Sequence, residues 1–170
     1  MVNLNDSLLC QTSMAALMVI GGVVVKNSSE KLGLSDHKVA KPLGMGLFTF
    51  GWLFAAYVLT KGRSDRLPLA SASIAILVSV MAMKMCNEEG KSPGKIFPYM
   101  FGAAWLLLGY SVGDHMKGNM RYFGLLASLL ALGSLMVVLP RERKECLVDG
   151  PGMPMFVISW AIIVYLNSAR

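Results

Sequence analysis

Charged residues along this chain fall in short zones. Between them lie six apolar stretches, at about Leu8–Val25, Pro42–Thr60, Leu67–Met83, Ile96–Gly113, Tyr122–Leu139 and Pro151–Leu166. Each approaches the roughly 20 residues that a helix needs to cross a bilayer. None carries the polar stripe of a helix buried in a soluble protein. The pattern predicts an all-α integral membrane protein with six transmembrane helices. Proline placement agrees with it: Pro42, Pro98, Pro151 and Pro154 fall in or near the first turns of predicted helices, where a missing N–H costs least.

The aromatic residues add a second order. The chain has three tryptophans, and each sits in the same pattern: Phe48-x3-Trp52-x4-Tyr57, Phe101-x3-Trp105-x4-Tyr110 and Phe156-x3-Trp160-x4-Tyr165. A small residue precedes each, namely Gly51, Ala104 and Ser159. The second and third copies align without a gap, carrying Ser73 onto Ser128 and Ser79 onto Ser134. The first copy is looser. Ser7 and Ser13 repeat the serine spacing, with extra residues placed in the polar stretch Lys26–Lys41. This is a threefold internal repeat of helical hairpins, with units at about 7–60, 67–113 and 121–167 in one polytopic domain, 1–170. Two crossings per unit give all units one orientation. The expected symmetry is a pseudo-threefold axis along the membrane normal, with both termini on the same side.

Composition fits the class. Of 170 residues, 55% are hydrophobic and 15% charged, and mean hydropathy is +0.56. The net charge of +6 is spread over both faces, with no run of like charge that would mark a nucleic-acid site. Counting basic residues favours the odd-numbered loops as cytoplasmic. The first seven residues hold Asp6 and no Lys or Arg, so no cleavable signal peptide is expected.

No Asp, Glu, Lys, Arg or His falls in the central part of any predicted helix. Ion pumps and proton-coupled transporters usually keep one there, because an intramembrane charge is costly. The polar groups inside are mostly hydroxyls, among them Ser73, Ser79, Ser128 and Ser134. With small residues at about seven-residue spacing, such as Gly44 and Gly51 or Gly102 and Gly109, they suit tight helix packing. A solute path lined by the four serines is the alternative. Mid-helix Trp suits packing between repeats or against lipid, or a ligand cage. Tyr57, Tyr110 and Tyr165, nearer the helix ends, suit an interfacial belt.

Sequence motifs for catalysis are absent: no Gly-Lys-Ser/Thr phosphate loop, Gly-x-Ser-x-Gly elbow or His-Glu-x-x-His occurs. Cys10, Cys86 and Cys146 form no Cys-x2-Cys pair, so neither metal nor cofactor is expected. Besides lipid, the expected partners are other proteins, met through basic loops. The candidate contacts are Lys31, Lys38, Lys41, Lys91, Lys95, Arg141, Arg143 and Lys144.

The threefold two-helix plan resembles mitochondrial carriers in topology only. Their Pro-x-Asp/Glu-x-x-Lys/Arg signature has no counterpart here, which excludes that family. The stretch Lys41 to Tyr57, KPLGMGLFTFGWLFAAY, resembles small polytopic membrane proteins of large icosahedral DNA viruses with an internal membrane. It covers about a tenth of the chain. The resemblance implies a membrane-embedded minor capsid component in the virion's internal membrane, linking the outer shell to the lipid beneath. The residue pattern supports a structural role for the whole chain, with a facilitator for a small neutral solute, or an accessory subunit of a membrane complex, as alternatives to it.

Overall fold

In the computed structural model, residues 5–27, 37–89, 94, 96–136 and 151–169 are described. They form helices joined by turns, with no strand among the described residues. The helices are α1 (Asp6–Asn27), α2 (His37–Thr60), α3 (Arg66–Glu88), α4 (Ile96–Gly113), α5 (Tyr122–Met136) and α6 (Gly152–Ser168). A 3-10 turn, Gly118–Arg121, leads into α5. Four spans are long and apolar enough to cross a membrane: Asp6–Lys26, Val39–Thr60, Arg66–Cys86 and Ile96–Gly113. Helix α6 is apolar but shorter. Several membrane-crossing helices in one chain make a multi-pass membrane protein.

Several helices outrun the apolar stretches that announce them. Helix α2 begins at His37, so Pro42 lies inside it rather than at its start. Proline there removes the bond that would reach the Lys38 carbonyl. The turn persists because the start of α2 packs on the end of α1. Ala40 is buried, and Gly44 lies against the Lys26 backbone. Lys38 and Lys41 therefore belong to a helix and not to a loop, and Lys41 is exposed. Helix α3 likewise runs past Met83 through Lys84. Long basic side chains lie along apolar surface and still reach water, so they need not end a helix. Lys31, Lys91, Lys95, Arg141, Arg143 and Lys144 lie outside the described residues.

Each helix packs against the next in sequence where both are joined by a described turn or a hairpin, and α6 returns to pack against α1. The most extensive contacts are α1 with α2, α3 with α4, and α5 with α6. Glycines set the closest approaches. A Cβ on Gly22 would stand 2.6 Å from the Gly44 carbonyl oxygen, and one on Gly51 would stand 2.8 Å from the Val19 backbone. At the α4–α5 crossing, Gly109 and Gly124 meet backbone to backbone, and Gly113 meets the Arg121 carbonyl. Gly102 has open space around it, so it plays no part in this contact.

Buried positions recur with one spacing. In α3 they are Leu69, Ala72, Ser73, Ile76 and Ser79, and in α5 Gly124, Ala127, Ser128, Ala131 and Ser134. In α1 the same spacing falls on Thr12, Ala15, Ala16, Val19 and Gly22. Gly22 holds the fifth buried place in α1, as Ser79 and Ser134 do in α3 and α5, while Ser7 is exposed and Ser13 half-buried. Burial, rather than residue type, defines the packed face.

Candidate functional site

Each signature tryptophan is carried near the middle of its helix, on α2, α4 and α6. All three are buried, each only 1% exposed. Their rings meet one another. Trp52 lies 5.4 Å from Trp105 and 5.2 Å from Trp160, and Trp105 lies 6.4 Å from Trp160, centroid to centroid. The pairs are edge-on or tilted, which suits the quadrupoles of the rings, and each is worth about 0.5–1.5 kcal/mol beyond area burial. Phe48 and Phe101 each stand edge-on to the tryptophan four residues ahead, at 6.4 Å. Phe156 meets Trp105 on the neighbouring helix at the same distance. Gly51, Ala104 and Ser159 are also buried, and Gly51 lets α2 approach Val19 of α1. Rings at these separations are in van der Waals contact, so no ligand fits between them as in a cage.

The polar edges of this cluster are distinctive. Among the described residues no hydrogen-bond acceptor reaches the Nε1 of Trp52, Trp105 or Trp160, and the buried Ser159 hydroxyl also lacks a partner. An indole N–H can only donate.

The four candidate serines are buried but do different things. Ser73 donates to the Leu69 carbonyl at 2.8 Å, Ser79 to Ala75 at 2.6 Å and Ser134 to Ala131 at 2.6 Å, all within their own helices. Ser128 alone reaches across, donating to the Trp105 carbonyl of α4. The signature tyrosines are exposed, in the last turns of α2 and α4 and toward the end of α6.

Two features were not singled out by the sequence. The first is Arg63, in the turn after α2. Its side chain is 5% exposed, although the sequence groups it with ordinary loop charges. One guanidinium nitrogen donates to the Ser111 carbonyl at 2.7 Å, and another to Val112 at 3.3 Å, next to His115 Nδ1 at 3.2 Å. Asp65 stands 3.6 Å away. The fork thus caps the C-terminus of α4, where a cation is favoured by the helix dipole. Burial lowers the Arg63 pKa from the ordinary guanidinium value, with Asp65 and Asp114 opposing the shift. The second is the α6–α1 contact. Asn167 Nδ2 donates to Thr12 Oγ1 at 2.8 Å, and the Asn5 backbone N–H donates to the Ser168 carbonyl at 2.8 Å. Asn167 falls in a stretch that reads as a solvated terminus, so no local signal marks it as buried.

Among the described residues no three His, Cys, Asp or Glu side chains gather as metal ligands. Compared with models of protein families, with curated protein sequences and with solved structures, the chain gives no match.

Proposed function

We propose that this protein is a structural integral membrane protein: six transmembrane helices, arranged as three repeated hairpins about a pseudo-threefold axis, that form a solid scaffold for other proteins. The observation that carries the reading is the packed tryptophan triad. A conducting path along the axis would need room at that level, and three touching rings fill it. Serines that could line a path instead donate to carbonyls of their own helices or, for Ser128, of α4. The shared burial spacing of α1, α3 and α5 supports the hairpin repeat. The minor capsid role in a virion membrane is a special case of this scaffold, supported by the resemblance of residues 41–57.

Isolation from the native membrane in mild detergent, followed by identification of what co-purifies at fixed stoichiometry, tests the scaffold. Capsid proteins at constant ratio support the viral form, and subunits of another complex support an accessory role. A chain that purifies alone and conducts small neutral solutes in liposomes sinks the proposal.

A further inference from the structure

Three of the buried side-chain donors without a partner among the described residues are the indole N–H groups of Trp52, Trp105 and Trp160, whose rings pack on one another. Leaving a buried donor without an acceptor costs about 1–3 kcal/mol. Three at once, with the unpaired hydroxyl of Ser159, the residue before Trp160, is an unusual load for a core whose serines at 73, 79, 128 and 134 all donate to carbonyls. Buried polar groups in proteins almost always have a partner, and those with none in the protein generally meet one from outside it.

The chemistry of the partner follows from the donors. Tryptophan gives a hydrogen and takes none, so the partner must present lone pairs. A bare anion would satisfy that condition, yet the one buried cation among the described residues, Arg63, is engaged by the carbonyls at the end of α4. An isolated charge in such a place costs far more than three neutral hydrogen bonds return. The partner must also be small, because the rings touch and each is only 1% exposed.

We propose that the Trp52–Trp105–Trp160 triad, with Ser159, is a binding site for a compact uncharged oxygen acceptor at its edges. Two sources share that chemistry: water held inside the bundle, and a small neutral solute with a carbonyl or sulfoxide oxygen. This proposal goes beyond the scaffold reading and stands or falls without it, since it concerns only what the core holds.

Because the chain has no other tryptophan, whole-protein labelling reports on the site alone. The full chain, produced with 15N-indole tryptophan and held in lipid nanodiscs, gives three indole cross-peaks. Hydrogen-bonded shifts together with cross-relaxation to water are expected if water is the occupant. A saturable shift on adding dimethyl sulfoxide is expected if the site takes a solute. Indole shifts typical of unbonded N–H overturn the proposal. So do bonded shifts that cross-relax with protein protons only and ignore dimethyl sulfoxide.

A second variant uses the unfolding midpoint. Replacing all tryptophan with benzothienylalanine keeps ring shape and puts sulfur where the N–H was. If the donors hold a partner, the midpoint falls and the dimethyl sulfoxide response disappears. If they are unpaired, removing them relieves a penalty, and a raised midpoint overturns the proposal.

Discussion

Asn167 and Thr12, 155 positions apart in sequence, are joined by a buried side-chain hydrogen bond of 2.8 Å. By burial spacing, Thr12 corresponds to Leu69 and Gly124, and Asn167 to Leu59 and Val112. Where a covalent turn joins α2 to α3 and α4 to α5, the corresponding positions are apolar. The α6–α1 contact has no such turn, and there the pair is polar. A hydrogen bond across this seam fixes its register in a way that apolar contact between lipid-soluble helices does not. Thr12→Val should therefore destabilise the fold by about 1–2 kcal/mol, because it removes an acceptor from a buried amide. The double variant Thr12→Leu with Asn167→Leu should recover part of that loss. Unfolding by denaturant in detergent, analysed as a double-mutant cycle, checks both.

Gly109 and Gly102 lie on one helix but differ in what surrounds them. A methyl group at Gly109 would run into the Gly124 carbonyl and the Ser128 hydroxyl, whereas at Gly102 it would meet nothing within 4 Å. Gly109→Ala should cost about 1–3 kcal/mol, as overpacking does. Gly102→Ala should be neutral or slightly stabilising, because alanine is the better helix former. Thermal unfolding of the two variants side by side is the measurement.

Arg63 holds two carbonyls at the end of α4. Removing it as Arg63→Met leaves those carbonyls without their donors, and the expected loss is about 1–3 kcal/mol. Arg63→Lys should recover only part, since an ammonium cannot reproduce the fork. The pH dependence has a definite sign. A cation whose folded pKa is lowered is penalised at every pH below that value. The penalty is relieved only in the strongly alkaline window between the folded value and the ordinary guanidinium value, where stability contributed by this group rises with pH. Titration of Arg63 itself therefore adds no slope between the wild-type and Arg63→Met stability curves near neutrality, and chemical denaturation at several pH values tests this.

The Asn5 N–H and the Ser168 carbonyl meet at 2.8 Å, so the two ends of the described bundle are adjacent. A circular permutant with a short linker from Arg170 to Met1 and new termini between Lys117 and Gly118 should fold. Its α4–α5 seam would keep the Gly109–Gly124 contact and the Ser128 bond to Trp105. Near-ultraviolet circular dichroism of the three tryptophans should match wild type. A lost tryptophan signal would mean that the α4–α5 turn is needed to close the bundle.

Much of this protein is legible in the order of its residues. Apolar stretches broken by charged zones dictate helices, because only a helix pairs its own backbone in lipid. The recurrence of Phe, Trp and Tyr is plain in the sequence, and four-residue spacing alone places Phe and Trp on one helix face. The sequence does not determine which way that face turns. Only the tertiary structure brings three tryptophans together, because ring contact depends on three helices meeting at one depth. Only it distinguishes Gly109 from Gly102, since close approach is a property of two backbones and not of a residue type. Arg63 and Asn167 were illegible for a related reason. Each stands in a polar neighbourhood that reads as solvated, and each is buried by a helix end distant in sequence.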